Sequence, residues 1–192
     1  MVKTYLALLA VLALERVVEV GISRRNAGRA LARGGIEVGE RHFVLMKLLH
    51  TAFFVACAAE VIVLRRPLIP PLAVAMTVLV LLSQAVRYWA VFTLGARWNV
   101  RVIVVPGDAA VTTGPYRYLR HPNYVAVLVE GFAVPLLHGA WLTALAFTLL
   151  NAWLLAVRIR CEERALAQHC WYEERLGDRP RFLPGWRSME GG

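Results

Sequence analysis

Five apolar segments constrain this chain more than any other feature: 2–22, 43–64, 71–94, 122–137 and 140–157. A helix needs about 20 residues to cross the hydrocarbon core of a bilayer, with a range of about 17 to 25. The first three segments reach that length. The fourth is short, and Pro135, His138 and Gly139 part it from the fifth, so 122–157 reads as a tight helical hairpin. In lipid, each backbone amide and carbonyl must be satisfied within its own segment, which leaves helices for runs of this kind. The expectation is an all-α integral membrane protein with about five transmembrane helices. It divides into three N-terminal spans (1–94) and a second half (95–192) with a polar loop, the hairpin and a C-terminal helix and tail. Hydrophobic residues make up 58% of the 192, too many for an ordinary soluble domain.

The formal net charge is +9. The basic residues sit between apolar segments, which is the pattern of loops facing anionic lipid and not of a nucleic-acid binder. Alternation across five spans puts sixteen arginines on one side. They are Arg24, Arg25, Arg29, Arg33 and Arg41, then Arg97, Arg101, Arg117 and Arg120, then Arg158, Arg160, Arg164, Arg175, Arg179, Arg181 and Arg187. Only Lys3, Arg65 and Arg66 face the other side. The positive-inside rule places the sixteen, and the C-terminus, in the cytoplasm of a multi-pass protein. The N-terminal run carries Glu15, Arg16 and Glu19 and lacks a small-residue cleavage motif, so it reads as a retained span.

Ionisable groups inside spans are costly and face the bundle interior. Glu15, Arg16, Glu19 and Lys47 read as interhelical pairs that fix the bundle, and Glu60 as a residue near a span end. Arg87 and Glu130 are the stronger functional candidates, since each is deep enough to need a partner and lies near the polar loop. His50 and His138 are lone histidines. Cys57, Cys161 and Cys170 form no C-x-x-C pair, and no H-x-x-x-H occurs, so no metal is assigned. There is no G-x-S-x-G and no G-x-G-x-x-G, which removes the common acyl-transfer and dinucleotide signatures.

Two clusters carry the chemistry. The first is Gly114-Pro115-Tyr116-Arg117-Tyr118-Leu119-Arg120-His121-Pro122-Asn123-Tyr124. Pro122 suits the first position of a helix, because its missing N–H is unpaired there anyway. The free amides of that helix end, with Arg120 and His121 beside them, offer an anion site. The second is Arg158-Ile159-Arg160-Cys161-Glu162-Glu163, closing the last apolar run with acidic groups. Arg158 and Glu162 stand one helical turn apart, a spacing that by itself suits a surface ion pair. The β-branched run 100–105 before Pro106-Gly107 reads as extended or as a short hairpin. Residues 162–176 read as a helix continuing the fifth span, ended by Gly177 and Pro180. Arg181-Phe182-Leu183-Pro184-Gly185-Trp186 then reads as an amphipathic lid or interfacial anchor.

Together, G-x-Y-x-x-x-R-H-P-x-Y and R-x-x-x-E-E-x-x-L resemble the isoprenylcysteine carboxyl methyltransferase family over residues 98–184, with Tyr172 and Arg181 to Pro184 resembling its ending. The resemblance implies a membrane methyltransferase using S-adenosyl-L-methionine in a cytoplasm-facing C-terminal site. Carried over by motif, Asp108, Ala109, Ala110, Val111, Tyr116, His121, Pro122, Asn123, Tyr124 and Glu162 would hold the cofactor. At Asp108 to Val111 this chain has D-A-A-V where eukaryotic members commonly have H-x-L-V. Arg158 would face the substrate and, with Arg87 as second choice, hold an acidic oxygen in place; Glu130 would line the substrate side. The patterns at Glu15 to Val20, Ser23 to Ala27 and Arg87 to Ala90 resemble a bacterial subgroup that O-methylates alkylpyrones or alkylresorcinols. That implies a lipophilic small-molecule substrate, contact with membrane lipid and a place in the bacterial inner membrane. A homo-oligomer is compatible with it. Prenylcysteine carboxyl methylation and phospholipid N-methylation are the alternatives within enzymes, ahead of an NADPH-dependent reductase or a non-enzymatic membrane protein.

Overall fold

A computed structural model describes residues 1–182, apart from the side chains at 40–42 and 173; the readings for Leu183, Pro184 and Trp186 lie outside the described residues. The helices are α1 (Val2–Ala32), α2 (Glu40–Val63), α3 (Pro70–Leu94), α4 (Pro122–Leu136), α5 (Trp141–His169) and α6 (Tyr172–Leu176). Prolines open α3 and α4 at their first turn, where the absent N–H has no helical partner to lose. The apolar faces meet in one core: Tyr5, Leu9 and Leu12 of α1, Phe53, Cys57 and Val61 of α2, Met76 and Val80 of α3, Val134 and Leu136 of α4, and Phe147 of α5. At Gly131 the backbone of α4 lies against α5; a Cβ there would come within 2.3 Å of the Phe147 ring.

Among the described residues, three helices are long and apolar enough to cross a membrane: Phe43–Val63, Pro70–Arg97 and Trp141–His169. Two of the five expected spans, α1 and α4, are not among them. α1 has the length, at 31 residues, but carries Glu15, Arg16 and Glu19 in its apolar part. α4 has 15 residues, about 22 Å of helix at 1.5 Å per residue, which is short of a straight crossing. The hairpin itself is as expected. The carbonyl of Pro135 accepts from the amides of His138 (3.3 Å) and Ala140 (3.0 Å) to close its turn.

Of the two readings of 100–105, extended or a short hairpin, the structure bears out the extended one. β2 (Val102–Val104) pairs antiparallel with β1 (Ile36–Val38), Ile36 opposite Val104 and Val38 opposite Val102. The ladder joins the α1–α2 connection to the α3–α4 loop at the basic end of the bundle. Ser23 Oγ reinforces it by donating to Asn99 Oδ1 (2.5 Å), and Asn26 Nδ2 by donating to the Trp98 carbonyl (2.8 Å). The C-terminal helix is also broken where the sequence reads as continuous. α5 stops at His169, Trp171 takes a positive φ of 51°, and α6 restarts at Tyr172.

At the opposite end, Glu60 of α2 caps α5. Ala140 gives α5 no side-chain cap. Glu60 accepts from the amides of Leu142 (3.1 Å) and Thr143 (2.7 Å) and from Thr143 Oγ1 (2.7 Å), and Arg66 Nε donates to it at 3.0 Å. Glu60→Ala orphans these donors, the two of Thr143 in buried positions, a loss of about 1–3 kcal/mol. The expected result is a lower unfolding temperature in detergent for Glu60→Ala, with a smaller drop for Thr143→Val, which keeps both backbone bonds. Equal unfolding temperatures for Glu60→Ala and the parent chain would rule the cap out.

Candidate active site

The polar loop returns to the bundle through a 3-10 turn at Gly114–Arg117. Gly114 has φ +56°, and a Cβ there would meet Thr93 Oγ1 of α3 at 2.4 Å. Glycine is therefore required twice over, by conformation and by contact. The turn buries Tyr116, and burial pushes its phenol well above the ordinary range, so it stays protonated at neutral pH.

Beyond the turn, the chain's own tail occupies the cationic groups of the motif. Arg120 N–H donates to the Pro180 carbonyl (3.0 Å) and His121 N–H to the Arg181 carbonyl (3.3 Å). The Arg120 side chain donates to the carbonyls of Arg179 (2.7 Å) and Gly177. Arg179 donates in return to the carbonyls of Thr112 (3.3 Å) and Tyr116. Glu163 ties these parts together. Its carboxylate meets His121 Nε2 at 3.0 Å, Arg181 Nη2 at 2.7 Å and the Tyr172 hydroxyl at 3.4 Å, with Arg120 Nη1 at 3.7 Å. Burial, with Glu163 beside it, pushes the Tyr172 phenol up, so it too remains a donor.

This changes the expected anion site at the start of α4. Pro122 has no amide hydrogen, and the amides of Tyr124 and Val125 both donate to the His121 carbonyl (3.0 and 3.3 Å). The anion beside Arg120 and His121 is Glu163, which belongs to the chain itself. Glu162 and Glu163 are therefore not one acidic pair. Glu163 locks the tail, while Glu162 faces the other way.

Glu162 meets Arg158 through Tyr124. The Tyr124 hydroxyl donates to the Glu162 carboxylate, and Arg158 Nε donates to the same hydroxyl oxygen at 2.8 Å. Arg158 Nη2 donates to the Val100 carbonyl at 2.6 Å, and its Nη1 faces only Met46 Sδ, at 3.8 Å. The direct Arg158–Glu162 ion pair suggested by their spacing does not form; the tyrosine oxygen stands between them. His121 stacks on the Tyr124 ring, centroids 5.3 Å apart and 20° between planes. The Glu163 lock thus sets His121, His121 sets Tyr124, and Tyr124 sets Arg158 and Glu162.

A cavity of about 70 Å³ opens beside this group. Arg97, Asn99, Arg101, Arg158 and Glu162 line it, with Leu94 and Leu166 as apolar walls. One residue before Tyr124 in α4, Asn123 Oδ1 is buried without a hydrogen-bond partner. Of the residues expected at the cofactor, Glu162 lines the cavity, and Tyr124 touches two residues that do. Tyr116, His121, Pro122 and Asn123 stand around the start of α4. Asp108 to Val111 are held to one side. Asp108 pairs with Arg33 (2.6 Å) and Arg97 (3.9 Å), and the Ala109 carbonyl accepts from Arg97 Nη1 (2.8 Å). Arg97 therefore links that segment to the cavity.

Arg87 and Glu130 are brought together, but in a different setting. They form an ion pair between α3 and α4 and join Arg16, Glu15 and Glu19 of α1. Among the described residues, no bond links this network to Arg158 or Glu162. The residues missed from the sequence are Asn99, which is not singled out there, and Arg97 and Arg101, seen there only as loop charge. A signal was present in Ile36-Glu37-Val38, a short strand whose central acid pairs with Arg101 (3.0 Å), but it needed a partner 64 residues away.

The profile of the isoprenylcysteine carboxyl methyltransferase (ICMT) family matches residues 75–168, from α3 through the polar loop and hairpin to the end of α5. An uncharacterized Bacillus subtilis (strain 168) protein, YpbQ, is 40% identical over 163 residues, covering 84% of this chain and 96% of that one. An uncharacterized Haemophilus influenzae protein is 27% identical over 165 residues, covering 85% and 93%. The structure of the eukaryotic intramembrane Ras methyltransferase ICMT aligns with a TM-score of 0.49 at 22% identity, over 77% of this chain and 53% of that one, so this chain spans about half that protein's length. The matched profile contains both motif halves and the Arg158–Tyr124–Glu162 link between them, and the chain belongs to the isoprenylcysteine carboxyl methyltransferase family of membrane proteins.

Proposed function

We propose that this protein is an integral-membrane S-adenosyl-L-methionine-dependent O-methyltransferase acting on an acidic oxygen of a lipophilic molecule, with its basic end and C-terminus in the cytoplasm. The observation that carries this reading is the bridge in which the Tyr124 hydroxyl joins Arg158 to Glu162 beside a cavity of mixed charge. The donor set fits the cofactor's amino-acid end. Glu162 offers a carboxylate to a cation, Arg97 and Arg101 offer guanidiniums to a carboxylate, and Asn123 Oδ1 is a buried acceptor without a partner. The cavity of about 70 Å³ has room for that end and not for the nucleoside. When bound, the cofactor supplies an electrophilic methyl group.

The chain's own residues align and exclude water; they do not need to form a covalent intermediate. Tyr124 holds the Glu162 and Arg158 side chains in register. Arg158 Nη1 is directed at a thioether, a weak acceptor, so it can turn to an oxyanion, for which a guanidinium is well suited. Alignment of two reactants is worth orders of magnitude in rate. The acceptor is proposed to be an alkylpyrone or alkylresorcinol hydroxyl, from the resemblance to the bacterial subgroup. The family's prenylcysteine carboxylate is the second reading, equally in keeping with the family match and with an arginine at the acceptor.

Purified protein is expected to bind S-adenosylhomocysteine by calorimetry, and Glu162→Gln to weaken binding about tenfold, the scale of one lost charge-assisted hydrogen bond. NADPH binding with no response to S-adenosylhomocysteine would overturn the reading. Methyl transfer to an alkylresorcinol but not to a farnesylcysteine, or the reverse, decides the acceptor.

A further inference from the structure

A second, roomier cleft lies outside the candidate active site. It has a volume of about 460 Å³, and Val38, Val157, Arg160, Cys161 and Arg164 contribute to its walls. At 100° per residue, Arg160 stands 200° around α5 from Arg158, and Arg164 the same from Glu162. The cleft is thus on the face of α5 turned away from Tyr124.

Two observations give it an occupant. First, its charge is uncompensated. Arg33, Arg97 and Arg101 all pair with carboxylates. Arg160 donates only to the Ala156 carbonyl. Among the described residues, neither Arg160 nor Arg164 has an acidic partner, and both are exposed. Second, the cleft continues a lipid-facing stripe. Leu142, Leu149 and Trp153 are exposed by 59%, 63% and 61%, and the same 100° step sets all three within about 60° of Arg160 and Arg164 on the helix surface. Trp153 precedes Arg160 by about 10 Å along the axis. Apolar surface at membrane depth therefore runs without interruption into a dibasic cleft at the basic end.

We propose that this cleft binds an anionic phospholipid, its acyl chain along Leu149 and Trp153 and its phosphate on Arg160 and Arg164. A free phosphate would satisfy the arginines but leave the stripe unused. Guanidiniums pair with phosphate through several hydrogen bonds, and each basic group near an anionic surface adds attraction that salt screens. Val38 of β1 forms one wall, so a bound lipid also braces the ladder that holds the polar loop.

The test uses the full chain in detergent after delipidation, read by unfolding temperature. Phosphatidylglycerol, phosphatidylcholine and inorganic phosphate are added separately. Phosphatidylglycerol is expected to raise the midpoint by about 5–10 °C at a hundredfold excess over its Kd, and the other two far less. Arg160→Gln/Arg164→Gln abolishes the shift, and the single Arg164→Gln variant reduces it should the double variant fold poorly. Arg24→Gln/Arg25→Gln, which removes two exposed arginines of α1, keeps it. Equal shifts with phosphatidylcholine, an equal shift with inorganic phosphate, or an undiminished shift in the α5 variants would overturn the proposal.

Discussion

Arg158→Lys is expected to cut methyl transfer by about 10²-fold or more, the scale of misplacing a reactant by about an ångström, with only a small change in S-adenosylhomocysteine affinity. The reason is geometric. Arg158 uses separate nitrogens for separate tasks: Nε on the Tyr124 hydroxyl at 2.8 Å and Nη2 on the Val100 carbonyl at 2.6 Å, with Nη1 left against Met46 Sδ at 3.8 Å. Lysine keeps the charge but places it at one point. It cannot hold Tyr124 and Val100 and still face an acceptor oxyanion. Arg158→Ala goes further, because the Tyr124–Glu162 pair then sits beside a lost countercharge and the fold itself weakens. Tyr124→Phe removes the shared hydroxyl and is expected to fall between the parent chain and Arg158→Lys. Initial rates with labelled methyl donor, alongside calorimetry, separate the two effects. Parent-like turnover in Arg158→Lys would mean that only charge matters at this position.

Much of this site was legible because its parts are local in sequence. Glycine at 114, proline at 122 and the R-H-P-x-Y spacing each answer to a nearby steric or capping demand. The 158–163 run follows from where an apolar segment has to end. What the sequence did not reveal is how each polar group chooses its partner. Glu162 and Glu163 are neighbours with the same chemistry, yet a helix turns adjacent residues 100° apart. One therefore meets the tail lock of His121, Arg181 and Tyr172, and the other meets Tyr124. The β1–β2 ladder was hidden for the same reason, since three-residue strands separated by two helices carry no local signal of pairing. α1 and α4 depart from a plain apolar span in opposite ways: α1 has the length but carries charges, and α4 is apolar but has 15 residues. Glu15, Arg16 and Glu19 are tolerated in α1 because α3 and α4 supply their partners.

That same network yields the largest expected change in stability. Arg16 and Arg87 face three carboxylates, those of Glu15, Glu19 and Glu130. Glu15 is also met by neutral donors, Gln84 Nε2 at 2.7 Å and the Tyr88 hydroxyl. The group therefore holds one acid in excess. Arg87→Met leaves three acids, Glu130 buried and Glu15 and Glu19 partly so, against one arginine, and breaking a buried pair from one side costs about 3–5 kcal/mol. Glu130→Gln leaves two acids against two arginines, which balance, so it is expected to cost clearly less. Replacing both, as Arg87→Met/Glu130→Leu, returns to one arginine against two acids with an apolar contact where the pair stood, and is expected to recover part of the loss. The order of unfolding temperatures in one detergent is the measurement: Arg87→Met lowest, the double variant above it, Glu130→Gln nearest the parent chain. The same variants decide whether the pair also serves the substrate. A bundle-fixing role predicts that Glu130→Gln keeps its turnover at temperatures where it remains folded. Loss of turnover at full folding, with S-adenosylhomocysteine binding intact, would instead place Glu130 at the acceptor, and would make α4 the wall along which the lipophilic substrate enters.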